Sequence, residues 1–564
     1  MARTSLSILR RLALAFGLAV AATTAPAQGV SYDPPPVQAS DPQAASDAGE
    51  AAPSRERQRP RRSRAEVRPY LEVAQIVTAE LNGGDVFTYT SLAAGVDGRI
   101  ETRRVHAQAS YRYQRNIEWG GNGADQDTHS GLAIVNADIV PGLLQFDAGA
   151  LAARTGGIGR ALGVTPRDSS VEIYSLFAGP TLSTRIGPAA LNAAYRIGYV
   201  AVDDDTPFGA FRDQYDDAIA HNLSASIGIG PGRLPFGWTL AGGYARSDNG
   251  GPFDQRFEGV YVRGDIVLPV GPTLALTAGV GYEDLRADQF DIARDADDLP
   301  ILTPDGVPIA DPSRPRLLTY DIDGLIYDAG LIWRPTPRTE LQARAGRRYG
   351  GTTILGTFQH RFNRTYGVAA AVFDTVETFG SSIINNISNL PTDFDIVRNP
   401  FTGNIGGCAF GADPGAGLCF DQSLQSVRST SFRARGATIL VSGNRGLWSF
   451  GAGASYVHRR YARPSDPAFD IFGAVTDESF GLYATLGREL SRTSDLTFDA
   501  YASWFDSDLA GFEGIFSIGA TATYSRRLLY DRLQLIGALG LYHTSSGAND
   551  SIVANGLIGL RYTF

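Results

Sequence analysis

From Tyr70 onward the chain is built almost entirely of segments in which apolar and polar side chains alternate, and the links between these segments are sorted by length. Val105, Ala107, Ala109, Tyr111 and Tyr113 share one face of such a segment, while His106, Gln108, Ser110, Arg112 and Gln114 share the other. A period of two puts these sets on opposite sides of a sheet. Val86 to Glu101 repeats the pattern, with Thr88, Thr90, Leu92, Ala94 and Val96 opposed to Tyr89, Ser91, Asp97, Arg99 and Glu101. Short turns fall at Arg103-Arg104, Pro141-Gly142, Gly187-Pro188, Pro231-Gly232, Pro269 to Pro272, Pro335 to Arg338, Phe362 to Arg364, Arg445-Gly446, Ser491 to Ser494 and Leu529 to Asp531. Between them lie mostly longer polar loops, near 120–128, 155–170, 203–217, 248–254, 286–316, 374–430, 462–477, 506–512 and 545–550. Asn82 to Asp85 and Gly350-Gly351 are short exceptions on the long-loop side. A soluble β-sandwich has no reason to sort its connections. An all-β transmembrane, antiparallel up-and-down barrel does, with turns toward the periplasm and loops outside.

Counting segments gives about 22 strands, within a range of 18–24, and puts both ends of the wall in the periplasm. A barrel of roughly that size encloses a lumen wider than its own side chains fill, and transporters of that size are plugged. The last strand, GLIGLRYTF, alternates Ile558, Leu560, Tyr562 and Phe564 with Gly559, Arg561 and Thr563. It resembles the closing-strand signal that the barrel-assembly machinery reads, which assigns Tyr562 and Phe564 an assembly role.

Residues 1–27 read as a secretory signal peptide: Arg3, Arg10 and Arg11, an apolar run from Leu12 to Ala22, then Ala25-Pro26-Ala27 before Gln28. That run is about half of the roughly 20 residues a spanning helix needs. Residues 28–66, rich in Pro, Ala and Arg, cannot bury a core and read as a disordered periplasmic tail. The tail is far too short for the plug domain of a TonB-dependent transporter, so the barrel occupies 67–564 and its lumen is either open or filled by its own loops. Loop 374–430 is the candidate for infolding. It holds both cysteines, Cys408 and Cys419, in NIGGCAFGADPGAGLCF. In an exported chain a disulfide is the natural reading, contributing about 3 kcal/mol. The loop either lines a constriction or stands at the surface.

All 50 basic residues are arginine, and losing three with the signal peptide takes the formal charge from -9 to -12. A net acidic chain with no basic block in its folded part is a poor nucleic-acid binder. Histidines 106, 129, 221, 360, 458 and 543 are scattered, and no nucleophile elbow, phosphate loop or metal motif is present. No catalytic residue, metal or cofactor is expected. Acidic loop residues, Asp203 to Asp205 with Asp213, Asp216 and Asp217, and Asp295, Asp297 and Asp298, lack EF-hand spacing. They read as solvated.

The stretches YLEVAQIVTAEL, DVFTYTSLAAGVDG and LTYDIDGLIYDAGLIWRPTPRTELQARAGRRYGGTT resemble outer-membrane proteins of the β-barrel porin 2 type, found in sphingomonad-like alphaproteobacteria. The resemblance implies a porin-like protein of the Gram-negative cell outer membrane. Members are often associated with surface or exopolysaccharide systems.

The functional expectation is a passive, porin-like channel for solutes, with export of surface polysaccharide as one alternative and a surface adhesin or receptor barrel as another. Parity places Asp97, Arg99, Arg112, Asp147, Arg196, Arg263, Asp265, Asp328, Glu340, Arg344, Arg348, Arg433 and Arg435 on the lumen side. Arg263-Gly264-Asp265 spells an adhesion tripeptide, but it lies within a strand. The expected partners are outer-membrane lipid, lipopolysaccharide and the assembly machinery. N-terminal sequencing of the exported protein should begin at Gln28; a start at any other residue moves the cleavage site.

Overall fold

Alternation gives each strand one face for lipid and one for the interior, and closure of the sheet on itself leaves no unpaired edge in the bilayer. The computed structural model describes residues 64–564 except 120–125, 156–170, 205–214, 233, 304–308, 421–423, 425–426, 465–475, 509–511 and 548. The signal peptide and nearly all of the tail lie outside the described residues, as do most of loops 155–170 and 203–217. The first strand already includes Arg64, which pairs with Glu101.

The wall begins with β1 (Arg64–Glu80), β2 (Val86–Glu101), β3 (Val105–Trp119), β4 (Gln126–Val140), β5 (Leu144–Thr155) and β6 (Val171–Ile186). It continues through β7 (Ala189–Asp204), β8 (Asp217–Ile229), β9 (Gly237–Asn249), β10 (Gln255–Pro269) and β11 (Leu274–Gln289). A loop hairpin, β12 (Asp291–Ile292) and β13 (Ala310–Asp311), precedes β14 (Leu317–Thr336), β15 (Thr339–Arg348), β16 (Gly351–Arg361) and β17 (Tyr366–Glu377). An inserted segment then carries α1 (Phe379–Ser388), β18 (Phe394–Arg398), β19 (Ile405–Gly411) and β20 (Gly417–Cys419). The wall resumes with β21 (Phe432–Arg445), β22 (Trp448–Tyr461), β23 (Thr476–Ser491), β24 (Ser494–Ser507), β25 (Ile515–Leu528), β26 (Leu533–Ser546) and β27 (Asn549–Thr563).

Twenty-two strands form one antiparallel sheet, each paired with its neighbour in the chain, and β1 pairs with β27 to close it. The strand number and the up-and-down order agree with the sequence reading. Register fixes the faces. On β10, Val260, Val262 and Ile266 are exposed, while Tyr261, Arg263 and Asp265 between them are buried. The exposed apolar side chains, among them Leu92, Val280, Leu325, Ile354, Leu482, Leu541, Ile558 and Leu560, form the band that lipid covers. Exposed aromatics sit toward strand ends, with Trp333, Trp448 and Phe362 near the turns and Trp119, Tyr456 and Phe516 near the loops, the usual interfacial girdles.

The wall is uneven in height. β15 and β16 join through Tyr349 and Gly350, both with positive φ (54° and 68°), as a two-residue hairpin turn of this hand requires. β14 pairs with β15 only from Tyr327 downward, and β16 with β17 only from Gly356 downward. Above that level β17 bends inward over the hairpin tip. Val376 of β17 there shares a buried cluster with Tyr349, Tyr320, Phe257 and Leu285.

Leu560→Arg, on the lipid face, should cost about 2–4 kcal/mol near the midplane. Thr357→Arg, on the lumen face, should stay within about 0.5 kcal/mol. Unfolding followed by gel mobility before and after heating measures both; equal costs would mean the faces are exchanged.

Candidate functional site

The described residues of 378–431 turn into the barrel instead of standing above it. Thr378 starts the turn: its Oγ1 accepts the Ser381 N–H (3.3 Å) and its own N–H donates to Ser381 Oγ (3.0 Å), a capping box that begins α1. Thr378 Oγ1 also donates to Ser247 Oγ of β9 at 2.9 Å. Phe379, Ile383, Ile384 and Ile387 recur on one face of α1. They bury against Leu151, Ile173, Val200 and Ala218 on the inner side of β5–β8. Full burial stabilises each such side chain by about 1.5–3 kcal/mol. Ile384 seats on a bare patch of wall, because a Cβ at Gly198 would stand 2.3 Å from its Cδ1.

The opposite end of the segment docks in the same way. β18, β19 and β20 form a small sheet in which Cys408 stands directly opposite Cys419 and the two are disulfide-bonded. Phe410 lies over Gly451, and the two sulfurs lie over Gly453; a Cβ at Gly451 would stand 2.5 Å from the Phe410 ring, and one at Gly453 2.4 and 2.7 Å from the sulfurs of Cys419 and Cys408. Gly407, with φ of 70°, sits against Tyr483 so closely that a Cβ would be 2.2 Å from the ring. Between these anchors Phe401, fully buried, meets Tyr542 and the hole left by Gly540 on β26. The segment therefore crosses the lumen, from β5–β8 to β22–β26.

Polar contacts fix its height. Arg99 of the wall pairs with Asp393 at 2.6 Å, Gln108 binds the Phe394 carbonyl, and Gln114 donates to the Phe401 carbonyl at 3.2 Å. Arg398 reaches from β18 to Ser130 Oγ (2.5 Å) and to the carbonyl and Oγ of Ser110 (3.2 and 3.1 Å). Burial pushes its guanidinium down to about 10. Asn385 accepts from Asn222, and the Ser429 carbonyl and Ser431 N–H bind Asn249 and Gln255.

The remaining charged side chains read from parity fall into three groups. Asp97 accepts from Ser110 and Arg561 at 2.7 and 2.8 Å, Arg112 forks onto Glu72 with both bonds at 2.9 Å, and Asp147 pairs with Arg196. The wall curls tightly between β10 and β15. Arg263 there binds Asp265 (2.6 Å) and Asp328 (2.8 Å), and Arg344 reaches the same two carboxylates (2.7 and 3.2 Å). Glu340 pairs with Arg334, and Arg348 with Glu283. The adhesion tripeptide is thus buried in this network.

Arg433 and Arg435 depart from the parity reading. They stand opposite Arg460 and His458 in register, on the face away from Leu440 and Ser442, which touch the inserted segment. Alternation along β21 groups them with Ile439, exposed on the lipid face, so the lumen reading is one residue out at this strand; above the short hairpin β17 and β21 bend inward. That bend brings their nominal outer face over the hairpin tip, where Arg433 forks onto Asp374 and binds the Tyr349 carbonyl at 3.0 Å.

The chain is an outer-membrane β-barrel with its lumen crossed by its own insertion. No family model matches the chain, and no curated protein matches it. Among solved structures it is similar to the FrpB iron transporter of Neisseria meningitidis (F5-1 variant), at 11% identity over 88% of this chain and 82% of that one, with a TM-score of 0.43. It is similar to the ferric-catecholate import receptor Fiu of K12 E. coli, at 10% identity over 87% and 81%, with a TM-score of 0.44. A third is the alcaligin outer-membrane receptor FauA of Bordetella pertussis, at 14% identity over 88% and 76%, with a TM-score of 0.36. These likenesses concern the barrel.

The expectation of a passive, porin-like channel is overturned. The space through which solutes would diffuse is occupied by the described residues of 378–431, which bury Phe379, Ile383, Ile384, Ile387 and Phe401 against the inner side of the wall. The same segment stands where an exported polymer would pass. Among the described residues no group of three His, Cys, Asp or Glu side chains is placed to hold a metal. Asp295 instead organises its own loop, accepting the Asp297 and Leu299 N–H groups, both at 2.9 Å.

Gly198→Leu should dislodge α1, exposing the segment to trypsin at Arg398, and Ile384→Ala in the same chain should restore protection. Cleavage that is unchanged in the single variant would show that the glycine hole does not anchor the helix.

Proposed function

We propose that this chain is a surface receptor barrel, closed at rest by residues 378–431 and open to its ligand at the extracellular mouth. The observation that carries this reading is the shared core: the inserted segment buries its apolar side chains against opposite sides of the wall, with Phe401 and Ile387 fully buried. A surface loop bearing antigenic variation would have no need of glycine holes beneath it. The resemblance to β-barrel porin 2 proteins is compatible, since the stretches that carry it are wall strands and turns and include nothing of 378–431.

On this reading the chain is exported with cleavage after Ala27 and places its Arg-rich tail in the periplasm. It closes through the Tyr562 and Phe564 strand on the assembly machinery, and forms Cys408–Cys419 in an oxidising compartment. The charged lumen residues then serve to hold the insertion and the curled wall rather than to select ions.

In planar bilayers the intact protein should show little steady conductance, and deletion of residues 380–425 should open a large channel. Ion preference in the deleted form should be weak, because the exposed charges are of both signs. Steady large conductance by the intact chain would refute the closed-receptor reading.

A further inference from the structure

The C-terminal limb of the insertion carries a buried arginine that meets no counter-charge among the described residues. Arg428 is 6% exposed, and its Nε has no acceptor. Among the described residues its guanidinium meets a ring instead: its Cζ lies 4.8 Å from the centroid of Tyr461. Tyr461 is the last residue of β22, at the outer end of the strand, and its ring meets that of Phe432, the first residue of β21, edge to face at 5.5 Å. Arg459 lies over the Phe432 ring at 5.6 Å and pairs with Asp477 at 3.5 Å, and Asp477 also accepts from the Tyr461 hydroxyl at 2.7 Å. Two guanidiniums and two rings are thus strung together at the mouth of the barrel, and one carboxylate serves the group.

A buried cation is expensive to leave unpaired, and a ring face offsets only part of that cost. Asp477 is committed to Arg459 and Tyr461. Arg428 lies on the lumen side, behind wall strands and away from the lipid face, so a lipid headgroup is not its natural partner. We propose that Arg428, supported by Arg459 and Tyr461, binds an oxyanion, a carboxylate or phosphate group, of a soluble ligand entering from outside. Arginine suits this because its planar fork meets such a group through two parallel bonds. The proposal rests on the receptor reading and extends it to the ligand's chemistry. It also gives the ligand a handle on the closure, since Arg428 belongs to the insertion, whose adjacent Ser429 and Ser431 are tied to β9 and β10 through Asn249 and Gln255.

The test uses the full-length protein in detergent micelles, with citrate and inorganic pyrophosphate as probes and sodium chloride at matched ionic strength as control. Calorimetric titration should show saturable binding of at least one probe, weakened tenfold or more by Arg428→Gln and less by Arg428→Lys. Bound probe should slow trypsin cleavage within 378–431 in the parent chain and leave the Gln variant unaffected. Undiminished binding by Arg428→Gln, or effects matched by sodium chloride, would overturn the proposal. So would binding of added lipopolysaccharide alone, which would assign the anion to lipid. Because the Lys variant retains the charge, it separates a folding defect from loss of the site. Bilayer conductance of the intact chain tests the receptor reading separately, so a silent titration with a closed barrel condemns only the anion site.

Discussion

Lipid offers no hydrogen bond to a backbone amide, so every strand in the bilayer must find a neighbour on both sides. The rest of this architecture follows from that demand. Closing the ring through β1 and β27 satisfies the last edge, but a ring of 22 strands surrounds more space than inward side chains can fill. The chain meets the second problem with an insertion between β17 and β21. The inserted segment needs apolar anchors, and those anchors need apolar patches and recesses on the inner face of the wall. Gly198, Gly451, Gly453 and Gly540 supply the recesses.

Much of the wall was legible because period-two patterning and turn placement are local signals. Leu92 and Asp97 declare their faces without reference to anything distant. The disulfide partners were legible for a different reason, since an exported chain with two cysteines in one loop leaves a single intramolecular pairing. The direction in which that loop folds was not legible. Its outcome depends on Ile384 meeting Gly198 and Phe410 meeting Gly451, contacts between residues far apart in the chain. An inward glycine at the middle of a strand was the available clue, but a glycine on a strand has several meanings.

Arg433 and Arg435 show how a one-residue slip exchanges faces, since alternation along β21 sets them with exposed Ile439 and opposite Leu440. Alternation assigns a face relative to the strand, and it assigns the lumen only while the strand runs straight up the wall. Where the β15–β16 hairpin stops short, β17 and β21 lean inward, and the face that would meet lipid is turned over the hairpin tip toward Tyr349 and Thr352. Arg428 was missed for a related reason. Nothing in its neighbourhood in sequence distinguishes it from the other arginines, and its lack of a counter-ion among the described residues exists only in three dimensions.

Both ends of the insertion are sewn into adjacent wall strands at the extracellular rim. A separate domain tethered by one end can be drawn out of its barrel toward the periplasm; a segment stitched at two neighbouring points on the outer rim cannot leave that way without tearing β17 from β21. Any passage past it must come from folding aside within the lumen or lifting outward like a flap.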